Sequence, residues 1–313
     1  MLSHYQGKFR VSTTISMAQK STTLMLMCVL LIPLFQSCQK SAEDDKLSRI
    51  SVLMMESESS FQKGNLDLAE AQLDSALAFM NSSGMQSNYF KIKLLFGRSH
   101  ILKARGNLGE ADSSFSDALF LISDKSISDS LRADVYLQKA ILLDELDSIS
   151  SACDFYLRSL ELRERIYPPR SMEVENGLLF LSVCYMRQGN FEAALPLTTR
   201  LMNLSVRKYG SQHLSTADAV SMRSTCLVAL GLYEEADQLL WEFSMLFGTR
   251  ENATSRQYRE ILRNLAYVSR ALGKKEQALK FYEQLKEMLH AQGLDSTSEA
   301  AKVRKEAESA AAD

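Results

Sequence analysis

Apolar residues recur at three- and four-residue spacing through long windows of the chain, the period of helices that bury one face rather than of strands. A longer period lies over this one. A Gly followed five residues later by Ala occurs as Gly64 and Ala69, Gly106 and Ala111, Gly189 and Ala194, Gly231 and Ala236, and Gly273 and Ala278, with Asp147 and Ala152 filling the one gap. Successive anchors stand 42, 41, 42, 42 and 42 residues apart. Seven residues before each anchor is a small residue (Ser57, Ser99, Ala140, Ser182, Ser224, Ala266), and eleven before it one with a large apolar or aromatic body (Leu53, Leu95, Tyr136, Leu178, Val220, Leu262). Columns that stay in phase over six copies mark a repeat array.

Each column has a physical cause. Gly suits the left-handed residue that closes a helix, and Asn65, Asn107, Ser148 or Asn190 directly after the anchor can cap the next one, so each repeat reads helix, tight turn, helix. Small residues midway along the first helix and early in the second let two backbones approach closely. Four residues beyond the Ala, Leu73, Phe115, Tyr156, Leu240 and Tyr282 wedge between helices, with Thr198 the weak copy. Asn88, Asp129, Ser171 and Ser255, eighteen residues before their anchors, are the expected N-caps of the first helices. His213 breaks that column, with Ser215 nearby. Pro196 removes a hydrogen bond in the second turn of its helix and is expected to bend it. After Gly293 an Ala-rich stretch, 294–313, reads as a capping helix or a frayed tail.

The order small, Gly, Ala, aromatic resembles the tetratricopeptide repeat, and the long period of about 42 residues, with the turns at Tyr167-Pro168-Pro169 and Tyr209 to His213, is similar to kinesin-light-chain-type repeats. The resemblance implies an all-α fold, a right-handed superhelical solenoid of about six helix pairs over residues 47–293, with first helices lining a concave face where a protein or peptide partner lies.

Residues 1–37 are different material: Lys8, Arg10 and Lys20, no acid, and the short apolar run Leu24 to Phe35 are the parts of an export signal. Met17 offers a second possible start, since Met17-Ala18-Gln19-Lys20 already supplies a positive flank. The run ends in Leu34-Phe35-Gln36-Ser37-Cys38, which resembles the lipobox of bacterial lipoproteins; an ordinary signal or a buried apolar segment is the other reading. The resemblance implies lipidation of Cys38, a polar tether over 38–46, and a place at the bacterial cell envelope, facing the periplasm or the surface, with contact to the membrane through lipid alone.

A net charge of −2, which becomes more negative once residues 1–37 are removed, leaves no basic footprint for nucleic acid. There is no phosphate-binding Gly loop, no nucleophile elbow and no Cys or His at metal-ligand spacing, so no enzyme, cofactor or metal is expected. Cys184 and Cys226 sit at equivalent places on neighbouring first helices, about 9 Å apart at the backbone, and a disulfide wants less than about 7 Å. With Cys153 they are expected as small buried hydrophobes, in a fold that needs no disulfide.

The groove-lining positions carry Lys93, Phe96, His100 and Lys103 in the second repeat, Leu137, Ile141, Leu179, Val183 and Met186 in the middle, and Arg263, Tyr267 and Arg270 towards the C-terminal end. The apolar middle reads as core in preference to binding site. Arg263, Tyr267 and Arg270 share one helix face, and two cations around an aromatic ring suit an acidic segment. The expectation is a membrane-anchored interaction scaffold; the alternative is a sensor module acting through another subunit.

Overall fold

A computed structural model describes residues 43–248 and 254–312. The export signal, Cys38 and most of the expected tether lie outside these residues. The described residues fall into two compact units, one ending at Ser114 and the other beginning at Phe115. Among the described residues every regular element is a helix.

The first unit holds α1 (43–62), α2 (Leu66–Ser82), α3 (Asn88–Ala104) and the start of α4 (Leu108–Leu121). Helix α1 begins inside the span expected to be tether, because Leu47, Ile50 and Leu53 already follow helical spacing and Ile50 is fully buried. Helices α1 to α3 share a core of Ile50, Ala69, Leu73, Met80, Leu94 and Ile101. The small residues do more than make room. The Ser57 hydroxyl donates to the Ala69 carbonyl at 2.7 Å, and Ser99 donates to that of Ala111 at 3.2 Å, so paired helices are bonded where they touch.

The second unit runs on from α4 through α5 (Asp129–Glu145), α6 (Ile149–Ile166), α7 (Met172–Gln188), α8 (Phe191–Tyr209), α9 (Leu214–Ala229), α10 (Tyr233–Phe247), α11 (Arg256–Ala271), α12 (Lys275–Ala291) and α13 (Ser298–Ala312). From α5 to α13 consecutive helices pack on one another, and α9 also touches α11, so first helix meets first helix across a repeat boundary. The Pro196 ring is accommodated inside a continuous α8.

The repeat columns carry the stacking. All six column alanines are inaccessible to solvent, and the wedge residues, Thr198 included, are buried. Asp147 is the only non-glycine with positive φ among the described residues, at 57°, in the slot that glycines fill elsewhere at 73° to 81°. Two N-caps fall one residue earlier than the column implies. Ser128 accepts from Leu131 N ahead of Asp129, and Ser87 precedes Asn88, since the extended residue before the first helical one is the cap. Ser171 and Ser255 cap as expected, and His213 itself caps α9, its Nδ1 accepting from Ser215 N at 3.1 Å.

The stretch after Gly293 is a docked helix. Thr297 caps α13 through its hydroxyl, 42 residues after the cap of α11, so α13 occupies the place of a seventh first helix. It buries Ala300, Val303, Ala307 and Ala310 against Tyr282, Leu285 and Leu289. Where α11 has Leu262 and Ala266 on the flank that meets its own second helix, α13 has Arg304 and Glu308, both exposed.

Candidate functional site

On α3, Lys93, Phe96 and His100 follow one face at helical spacing, as expected. The Lys93 ammonium lies 5.8 Å from the Phe96 ring centre and 5.9 Å from that of Tyr89, and His100 meets Phe61 edge-on at 6.4 Å. With Lys103 one further turn along, this is a half-buried basic and aromatic face within the first unit.

In the second unit, α11 brings Arg263, Tyr267 and Arg270 to one side, and the acidic segment on that side is α13. Arg259 holds both Glu299 oxygens at 3.2 Å and donates to Gln292 at 2.7 Å. Arg263 pairs with Glu299 at 3.1 Å and lies 3.9 Å from Glu306; Arg270 donates to Ser309 at 2.9 Å. The Arg263 Nε and a Glu306 oxygen are buried without a hydrogen-bond partner. Tyr267 stays half exposed between the two cations. Beneath it, burial pushes the Tyr282 hydroxyl above its ordinary pKa, with the Glu306 carboxylate adding to the shift.

Of the apolar middle, Leu137, Ile141 and Leu179 pack against the core built on Tyr156, Leu160, Leu178 and Leu181. Val183 is exposed and Met186 half-buried.

The cysteines depart from expectation. Cys153 and Cys184 form a disulfide with their Cα atoms 5.6 Å apart, and both are buried. Cys226 is free, buried beside Thr198, and its thiol is pushed up by burial. The repeat period relates Cys184 to Cys226 as occupants of one column, but the neighbour within reach of Cys184 comes from the preceding second helix, where Cys153 follows the column alanine Ala152.

One surface has no counterpart in the sequence reading. On the second-helix side, Trp241 of α10 meets Phe281 of α12 edge-on, ring centres 6.3 Å apart, in a cleft of about 680 Å³ lined also by Gly273, Lys274, Lys275, Glu276, Gln277 and Lys280. Trp241 is 46% exposed and Met245, one turn on, 69%. The signal was available: Trp241 is the chain's single tryptophan, placed with Met245 at i,i+4 on a face that carries no repeat column. A smaller cleft of about 280 Å³ gathers Arg170, Arg200 and Arg207 with Asn203, and there Arg200 pairs with Glu164. No group of three or more His, Cys, Asp or Glu able to hold a metal occurs among the described residues, and no helix there is long and apolar enough to cross a membrane.

Helix pairs in this register, closed by left-handed turns and stacked on small-residue columns, define a tetratricopeptide-repeat protein. The chain belongs to the family described as the MalT-like TPR region, whose model matches residues 38–303. No curated protein matches it in sequence. Among solved structures it is similar to a putative kinesin light chain with nearly identical TPR-like repeats from Podosopora anserina, at 14% identity and a TM-score of 0.58 over 68% of this chain and 100% of that one. It is also similar to BtubC (BKLC) from P. vanneervenii (16% identity, TM-score 0.55, 79% and 92% of the two chains). A third likeness is to a signal transduction ATPase with a tetratricopeptide repeat sensor from Pyrococcus horikoshii (17%, 0.56, 82% of this chain and 39% of that one). At these identities the likeness is one of fold.

Proposed function

We propose that this chain is an exported interaction scaffold, held at a bacterial envelope membrane by lipid on Cys38, that binds a protein or peptide partner along its first helices and performs no reaction of its own. The observation that carries the binding role is that the small-residue, alanine and wedge columns are buried in stacking, while the first helices keep aromatic and basic side chains partly at the surface: Lys93 over Tyr89 and Phe96, and Tyr267, half exposed between Arg263 and Arg270. The Cys153–Cys184 bond supports the exported location, since such bonds persist in oxidising compartments.

The test of binding is capture from detergent-solubilised envelopes with the native chain and with a Tyr267→Ala, Lys93→Glu variant. Arg263 is the wrong residue to change, because it docks α13. A stoichiometric protein that stays with the native chain and leaves the variant supports the reading; equal retention at low salt moves the site elsewhere. Mass spectrometry of the mature N-terminus tests the anchor: two or three acyl chains on Cys38 are expected, because one gives only marginal membrane binding. An unmodified N-terminus at another residue overturns it. The likeness to a repeat sensor favours a second reading, a sensing module acting through another subunit, and a kinase or regulator as the captured protein would decide for it.

A further inference from the structure

We propose that the cleft between α10 and the first half of α12 is a second docking surface, separate from the first-helix face, and that it takes an acidic segment of a partner protein carrying a large apolar side chain. Trp241 and Met245 share one face of α10, with Leu246 beside them, and all three are exposed. An apolar strip of this kind, rimmed by polar residues, is characteristic of an interaction site, and tryptophan is among the residue types that dominate binding energy. The edge-on contact with Phe281 holds the Trp241 ring in place, so little order need be gained on binding.

Charge selects the occupant. Three lysines and one glutamate line the cleft, in a chain whose net charge is −2. Lys274 is held by Asp237 at 2.5 Å, whereas Lys275 and Lys280 have no ion pair among the described residues. Two available ammonium groups beside an aromatic floor suit carboxylates flanking an apolar residue, with the acids at the α12 end and the apolar side chain along α10. The chain's own acidic helix is not that segment, because Glu299 is bound to Arg259 and Arg263. Nucleic acid would need a basic stripe well beyond one cleft.

The single tryptophan makes the experiment direct, since Trp241 emission reports this surface alone. The full chain is titrated with a tryptophan-free acidic amphipathic peptide bearing Leu and Phe on one face, and with its counterpart in which every acid is replaced by Lys. A saturable change in emission with the acidic peptide only is expected. Binding should weaken roughly tenfold in Lys275→Glu with Lys280→Glu, two exposed charge contacts being reversed, and stay unchanged in Tyr267→Ala, which belongs to the first-helix face. No saturable change with either peptide, equal response to both, or unaltered affinity in the double variant overturns the proposal. An emission change that follows protein concentration alone also overturns it, and assigns the strip to a second copy of the chain.

Discussion

Two surfaces of the second unit combine cations with an exposed aromatic ring, and they differ in what covers them. On α11 the arginines are taken by α13: Arg259 grips both oxygens of Glu299 with one edge of its guanidinium, and Tyr267 is left half exposed. On α10 and α12 Lys275, Lys280 and Trp241 remain open, while Lys274 is paired with Asp237. The difference follows the repeat. First helices face the next first helix, so a basic face on α11 meets an acidic face on α13 through stacking; the outer side of the second helices has no next element to meet. A covered face of this type contributes to folding, whereas an open one carries exposed apolar area that only an association can remove.

The comparison is sharpest where the covered face is broken. Val303→Asp places an unpaired carboxylate among Tyr282, Leu285 and Leu289, and should cost about 3 kcal/mol, read as a lower urea midpoint together with fast amide exchange over α13. Glu299→Lys sets a third cation against Arg259 and Arg263; a loss of about 2 kcal/mol is expected, partly recovered at high salt, and protease resistance of α13 is the check. On the open face Trp241→Ala removes one edge-on aromatic contact and should lower stability by about 1 kcal/mol in thermal melts followed by circular dichroism. The smallest effect belongs to Lys275→Glu with Lys280→Glu, within about 0.5 kcal/mol of the native chain, because neither lysine holds an ion pair. If the two faces responded alike in these melts, the division between a folding face and an association face would fail.

Much of this architecture was legible in the sequence, because the stacking contacts fall on fixed columns. A column alanine cannot be enlarged without separating two helices, and the left-handed anchor accepts little beyond Gly; Asp147 fills it because a short polar side chain tolerates that conformation. What repeats by column could therefore be read. What depends on contact between different columns could not. The Cys153–Cys184 bond joins a second helix to the following first helix, and the period that aligned Cys184 with Cys226 carries no information about that neighbour. The face formed by Arg263, Tyr267 and Arg270 was legible as one suited to acids, yet the acids on it come from an Ala-rich helix with Val303 as its one large apolar residue, too weakly patterned to declare that it docks. Trp241 lies outside every column, so a search for repeats passes over it.

The polarity of α13 bears on what the molecule does at high concentration. Arg304 and Glu308 stand where α11 has Leu262 and Ala266, so the helix that completes one interface is unable to begin another. An array whose last helix kept the Leu and Ala would expose a template for the first helix pair of another molecule, and head-to-tail association of this kind does not close on itself but grows into a filament. With Arg304 and Glu308 in those places, α13 offers no such apolar template.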